Sequence, residues 1–256
     1  MKKFKVIFLI TIFFSDAYSQ EIDTTRLKFN YLGYQLPISI LNFKSETNSS
    51  QKTPLIFFLH GAGERGVDNK SQLLGGIPDI IKFFKTQSNS SCVVIAPQCP
   101  KEQKWVDTDW TLSSHKMKDQ MSWPLEAAEN FLDSFILSNP YIDTDRIYVS
   151  GLSMGGFATW ELIQRFPNKF TAAIPVCGGG DTAMADKIKN IPVWAFHGKK
   201  DKVVLVNRTT DMIYKMKKVN KNVKVTIYPN DGHYIWKKVY GSKEIMSWFF
   251  SKRKNH

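Results

Sequence analysis

Only three cysteines, Cys92, Cys99 and Cys177, occur in 256 residues. That is too few for a small disulfide scaffold. No apolar run approaches the roughly 20 residues needed to span a bilayer. The run Val6 to Phe14, interrupted by Thr11, is nine residues long. There is no P-loop, no HExxH and no paired CxxC, so the sequence assigns no cofactor and no metal. Internal repeats and a linker separating two domains are also missing. Acidic residues are scarce, 23 Asp and Glu against 35 Lys and Arg, for a formal charge of +12. A clustered excess of this kind would suit nucleic acid. Here the lysines are spread along the chain, with the densest runs at Lys215–Lys221 and Lys252–Lys254. Solvated faces are therefore expected, with no nucleic-acid partner.

With 43% hydrophobic and 23% charged residues, the composition is globular and argues against disorder. The chain begins with a basic segment, Met1-Lys2-Lys3-Phe4-Lys5, ahead of the short apolar run. Ala17-Tyr18-Ser19 then fits a small-x-small cleavage site before Gln20. Residues 1–19 read as a signal peptide and residues 20–256 as one exported, secreted or periplasmic domain with no membrane association after cleavage. The segment holds only three lysines and one aspartate, so the basic excess persists without it.

Leu27–Leu32 and Leu36–Phe43 suggest two strands of a hairpin around Gly33. Beyond a polar loop over residues 44–53, short apolar runs recur at Pro54–Leu59, Cys92–Ala96, Arg146–Val149, Thr171–Val176, Ile191–Phe196 and Val223–Tyr228. Continuous apolar runs of this length read as strands buried on both faces. Helical patterns lie at Pro78–Thr86, Pro124–Leu137, Met154–Phe166, Val203–Val219 and Gly241–Phe250. The alternation predicts an α/β fold, a mostly parallel central sheet with helices on both faces. The connection Gly178–Asn190 is short, so no large cap domain is expected.

The sharpest chemical signal is Gly151-Leu152-Ser153-Met154-Gly155-Gly156. It fits G-x-S-x-G between an expected strand and an expected helix, the setting of a nucleophile elbow. So tight a turn needs small residues two before and two after the serine, hence Gly151 and Gly155. A serine hydroxyl needs a base. Among the five histidines, His256 is terminal and His115 lies in an irregular stretch. His60 and His197 each end a strand before a glycine and suggest fixed turns. His233, in the loop past the last strand, remains as the base. An orienting carboxylate is then required. Asp201 in His197-Gly198-Lys199-Lys200-Asp201 has the better setting, with Asp181 as competitor.

The oxyanion needs donors. Met154 supplies one backbone N–H, and the loop His60-Gly61-Ala62-Gly63-Glu64-Arg65-Gly66 suggests Ala62 as the other, with Gly63 second. That loop also spells G-x-G-x-x-G, but no helical pattern opens there, as a dinucleotide site would require. Cys92 and Cys99 sit near opposite ends of one strand, too far apart to bridge. Cys99 and Cys177 both lie past strand ends, and whether they pair depends on loop paths.

Together, the loop His60–Gly66, Ala96-Pro97-Gln98-Cys99-Pro100, the serine motif, His197–Asp201 and Gly232-His233 resemble secreted bacterial α/β-hydrolase esterases. The similar groups are the feruloyl-esterase and polyhydroxybutyrate-depolymerase-like families and the predicted peptidases related to prolyl oligopeptidase. The resemblance covers about Pro54 to the C-terminus. It implies ester hydrolysis through an acyl-enzyme, with Ser153, Asp201 and His233 as the triad. A serine peptidase and a non-catalytic binding protein on the same fold remain alternatives. The chain is too short to hold the propeller usual in prolyl oligopeptidase-type enzymes, and three triad residues in fitting contexts oppose a non-catalytic role. Aromatic residues in the expected rim loops, Trp105 and Trp236 foremost, suit flat acyl groups or sugar faces. Combined with the resemblance, they favour feruloyl or acetyl esters carried on plant polysaccharide over long-chain lipids.

Overall fold

A computed structural model of the chain describes residues 22–44, 52–86 and 91–254. The expected signal peptide over residues 1–19 lies outside them. Eight strands form one sheet among the described residues: β1 Ile22–Tyr31, β2 Tyr34–Phe43, β3 Thr53–Leu59, β4 Cys92–Pro97, β5 Ile142–Leu152, β6 Ala172–Val176, β7 Val193–Gly198 and β8 Val223–Tyr228. Their spatial order is β1-β2-β4-β3-β5-β6-β7-β8. The hairpin β1–β2 is antiparallel and joins β4 antiparallel, while every pairing from β4 through β3 to β8 is parallel. Leu32 and Gly33 turn the hairpin, both at positive φ.

The helices are α1 Ile77–Lys85, α2 Trp123–Ser138, α3 Met154–Arg165, α4 Asn207–Met216, α5 Trp236–Tyr240 and α6 Lys243–Phe250. Strand alternation splits the core into two layers. Leu55, Phe57 and Leu59 of β3 pack with Leu125 and Leu132 of α2 and Phe157 and Trp160 of α3. Ile56 and Phe58 face the other way, onto Ile77 and Ile80 of α1, Tyr240 of α5 and Phe249 of α6. Burial on both faces explains why the strand sequences are apolar throughout rather than alternating.

Two elements differ from the sequence pattern. The expected helix Val203–Val219 begins only at Asn207, because Asp201 Oδ1 accepts the amides of Val203 and Val204 at 2.8 and 2.9 Å. Those bonds hold the chain in a turn for its first residues. The short helix α5 has no counterpart in the pattern, since five residues with two lysines give no readable period.

The parallel strands end along one edge of the sheet, where β3 Leu59 pairs with β5 Gly151 and β6 Val176 with β7 Phe196. Loops leaving that edge carry Ala62, Ser153, Asp201 and His233. The turn after β5 is exceptionally close-packed. A Cβ on Gly155 would lie 1.9 Å from the Leu59 carbonyl oxygen, and one on Gly151 would lie 2.4 Å from that of Gly155. Both contacts involve backbone, which cannot swing aside. Gly155→Ala should therefore lower unfolding stability in urea by at least about 2 kcal/mol, the scale of a core overpacking defect. A wild-type denaturation midpoint for this variant would show that the contact is not as tight as described.

Candidate active site

Ser153 occupies the sharp turn between β5 and α3 at φ 54° and ψ −117°. Positive φ is costly for a residue with a side chain and recurs where the backbone is held for function. The turn is anchored by the Ser153 N–H, which donates to the Val176 carbonyl at 2.8 Å. It leaves the hydroxyl partly exposed above the sheet edge, at the N-terminus of α3.

His233 meets this hydroxyl from the loop after β8, with Nε2 2.8 Å from Ser153 Oγ. Its Nδ1 stands 2.7 Å from Asp201 Oδ2. A carboxylate only accepts, so Nδ1 carries the proton and Nε2 is left free to accept from the serine. Asp201 is almost wholly buried. Burial alone would raise its carboxyl, but hydrogen bonds from His197, His233 and the Val204 and Val203 amides outweigh it. They hold the group well below the usual carboxylate range. It therefore stays ionised beside the imidazole.

The two expected oxyanion donors sit at the start of α3 and in the loop after β3. Met154 N–H is the first amide of α3, where no preceding turn supplies a carbonyl. Ala62 opens a 3₁₀ turn, Ala62–Glu64, and is only partly buried. A Cβ on Gly61 would lie 2.7 Å from a methyl of Leu152, so this loop runs directly beside the elbow. The loop is held by polar contacts the sequence did not reveal. Arg65 Nε donates to the Ala62 carbonyl at 2.9 Å. Gln98 Nε2 donates to the Glu64 carbonyl and to Asp68 Oδ1, while Gln98 Oε1 accepts the Asn69 amide at 2.7 Å. Asn69, buried and at φ 54°, donates in turn to the Leu27 and Ile38 carbonyls.

The remaining sequence expectations sort by burial. Trp105 is fully buried and cannot contact substrate; its indole N–H donates to the His60 carbonyl at 3.1 Å. The aromatic content that suggested a binding surface there is packed into the core instead. Trp236 is half-buried and lies edge-on to His233, with ring centroids 5.8 Å apart, and Tyr234 beside it is 81% exposed. Asp181 is turned away: its carboxylate accepts the amides of Ala183 and Met117. The cysteines are all free and buried. Cys177 Sγ donates to the His233 carbonyl at 3.3 Å. The ligand atoms of Cys177, Asp201 and His233 lie within 4.8 Å of one another. Burial pushes the Cys177 thiol up, away from the thiolate a metal needs, and Asp201 and His233 already bond each other. This donor set is a poor metal cage.

From its place before Gly198, the sequence suggests only a turn role for His197. Its Nε2 lies 2.9 Å from the Val204 carbonyl and 3.2 Å from Asp201 Oδ2. The four-residue spacing from His197 to Asp201 was the available signal, and only the tight loop between them gives it meaning.

A dienelactone hydrolase family model matches residues 86–239. The chain is similar to a solved thermostable esterase, with TM-score 0.78 and 34% identity, over 91% of this chain and 64% of that one. A solved ferulic acid esterase superposes with TM-score 0.63 at 14% identity, over 91% of this chain and 98% of that one, a likeness of fold. The bifunctional acetylxylan esterase/xylanase of Neocallimastix patriciarum is 39% identical over 64 residues, 25% of this chain and 9% of that protein. The chain thus spans less than two thirds of the length of the first and last of these.

Two buried or half-buried histidines make stability pH-dependent. Burial lowers His60 to about 4, and burial with the Arg208 charge lowers the half-buried His115 to about 4. An unfolded histidine takes up its proton near about 6.5. The unfolded chain therefore binds more protons than the native one between those values, and stability falls as pH drops from about 6.5 to about 4. The steepest slope is about 1.4 kcal/mol per pH unit for His60 and less for His115, which is part-solvated. Burial raises Glu64 and Glu161, which oppose this trend at its acid end, so the histidine effect is read in the upper part of the window. Melting temperature measured from pH 7 to pH 4.5 should decline steadily, and His115→Gln should decline less. A flat profile across that range would contradict it.

Proposed function

The chain belongs to the dienelactone hydrolase family, with its α/β-hydrolase fold, and from that premise we propose that it is an exported serine carboxylic ester hydrolase. The observation that carries the reading is the unbroken hydrogen-bond chain from Ser153 Oγ through the His233 imidazole to Asp201. A serine alone is a weak nucleophile, and this chain is what activates it.

His233 Nε2 takes the Ser153 proton as Oγ bonds to the ester carbonyl carbon. The carbonyl π electrons move onto oxygen, and the amides of Met154 and Ala62 donate to that oxyanion. As the oxyanion collapses, the bond to the alkoxy oxygen breaks and the imidazolium returns its proton to the departing alcohol. A water then attacks the acyl-enzyme with His233 again as base, releasing the acid and restoring the Ser153 hydroxyl. Asp201 keeps the imidazole in its working tautomer and stabilises the transient imidazolium.

For substrate, the exposed Tyr234 and half-buried Trp236 beside His233 form an aromatic rim. Such rings favour flat aryl groups and sugar faces. The 64-residue similarity to an acetylxylan esterase/xylanase points the same way. Feruloyl or acetyl esters on polysaccharide are the substrate class we infer, and the basic, apolar start of the chain supports export with residues 1–19 as leader.

Ser153→Ala should lose on the order of 10⁴–10⁶ in turnover of p-nitrophenyl acetate, and Asp201→Asn about 10⁴. Near-normal turnover by Ser153→Ala would remove the nucleophile assignment. Methyl ferulate or acetylated xylan should be cleaved faster than p-nitrophenyl palmitate, and Trp236→Ala should raise KM for the ferulate more than for p-nitrophenyl acetate. A preference for the palmitate ester would replace this substrate class with lipids. Export predicts a mature N-terminus at Gln20, readable by mass spectrometry of the secreted protein.

A further inference from the structure

His60 is fully buried beneath the loop that carries Ala62. Its ring is held on every polar side. Nε2 lies 2.9 Å from the Cys99 N–H, which can only donate. Nε2 is therefore the unprotonated nitrogen and Nδ1 carries the hydrogen. Nδ1 in turn donates to the Gly61 carbonyl at 2.6 Å. The Trp105 ring packs edge-on at 5.2 Å between centroids, and its N–H holds the His60 carbonyl. Because burial keeps this imidazole neutral down to about pH 4, the one-donor, one-acceptor arrangement persists across the working range.

The Gly61 carbonyl and the Ala62 N–H belong to one peptide unit. That unit is planar and trans, so its C=O and N–H point in opposite directions. A group that grips the carbonyl thereby aims the amide. The same carbonyl also accepts the Glu64 N–H at 3.4 Å, a much longer bond, so His60 provides the tighter hold. The unit lies against Leu152, next to Ser153, and Gly61 itself has an extended backbone at φ −78° and ψ −179°. Without the His60 bond, only the long Glu64 contact would resist rotation of that peptide between Gly61 and Ala62.

We propose that His60 is a positioning residue for the oxyanion hole: by donating to the Gly61 carbonyl it fixes the shared peptide so that the Ala62 amide faces the carbonyl oxygen of the substrate. The proposal rests on the reading that Ser153 is the nucleophile and Ala62 an oxyanion donor. Its physical content is preorganisation, since a donor already aimed at the developing charge costs no reorientation during reaction.

Two substitutions separate the ring's two bonds. His60→Asn places an amide nitrogen where Nδ1 stands and loses the acceptor for Cys99. His60→Gln reaches towards Cys99 and gives up the donor to Gly61. With p-nitrophenyl acetate, His60→Gln should lower kcat by between about 10-fold and the 10³-fold cost of losing an oxyanion donor outright. KM should stay within about threefold. The inhibition constant of phenylboronic acid, which bonds to Ser153 and puts a tetrahedral oxygen in the hole, should rise by a factor of the same order. His60→Asn should keep kcat within about fivefold of wild type. Equal losses in both variants, or a kcat loss with unchanged phenylboronic acid binding, would reduce His60 to a packing residue and overturn the proposal. A measurement on the wild-type protein is independent of how the variants fold. A peptide that donates to the boronate oxygen is polarised, which strengthens the bond its carbonyl accepts. The His60 Nδ1 proton resonance should therefore move downfield when phenylboronic acid binds; no movement would also overturn the proposal. A Ser153→Ala enzyme that still turned over the ester would sink the underlying reading. An inactive Ser153→Ala enzyme beside an unimpaired His60→Gln enzyme would sink only this proposal.

Discussion

The close approach of α3 to the end of β3 is the constraint on which the rest of the site depends. Gly155 meets the carbonyls of Leu59 and His60 with no room for a methyl group. That contact brings the first turn of α3 against the strand whose following loop carries Ala62. It also forces the turn between β5 and α3 to be so short that Ser153 takes a positive φ. One steric fact thus sets three things at once: the serine is lifted above the sheet, the helix N-terminus lies beneath it, and the loop after β3, with its partly buried Ala62, runs alongside. A longer turn would relieve the strain and move the hydroxyl away from the loop that carries Ala62.

Around this point the protein places polar groups in pairs that leave little freedom. Asp201 receives four donors, two amides on Oδ1 and two imidazoles on Oδ2. A carboxylate so fully bonded remains ionised although buried, because hydrogen bonds to the charged form offset desolvation. The loop after β3 is treated in the same way. Gln98, Asn69 and Arg65 satisfy its carbonyls and amides from three directions. Buried polar networks of this kind rigidify when complete. Their rigidity suits the oxyanion role proposed for this loop.

The histidines show how one residue type takes separate tasks by environment alone. His233 sits partly exposed in a loop, with one nitrogen on a carboxylate and the other on a hydroxyl, an arrangement able to shuttle a proton. His60 is enclosed between Cys99, Trp105 and its own loop, and is kept neutral by burial. His197 lies behind Asp201 and links it to Thr209 on α4, 2.8 Å from Nδ1. Burial and partners, not side-chain chemistry, distinguish the three.

The strands of the parallel sheet were legible because burial on both faces writes a continuous apolar run, and the serine turn was legible because its glycines are demanded locally by sterics. Ser153, Met154 and Gly155 belong to one tight turn whose geometry a few neighbouring residues fully determine. The sequence also placed Asp201 and His233 in loops past strand ends, since strand–helix alternation sends such loops to one edge. Other features depended on groups far apart in the chain. Trp105 reads as a rim aromatic until its loop folds inwards and its N–H finds the His60 carbonyl, 45 residues away. The helix expected from Val203 loses its first turn to the Asp201 side chain. His60 could be seen to end a strand, but its partners on Gly61 and Cys99 set its tautomer only once β3 and β4 lie side by side. The sequence by itself therefore determined the sheet, the elbow and which loops meet at its edge, because those follow from local sterics and burial. Tertiary structure alone decided which side chains face solvent, which nitrogen holds each proton and which amides are left free, because hydrogen-bond partners are chosen by proximity in space.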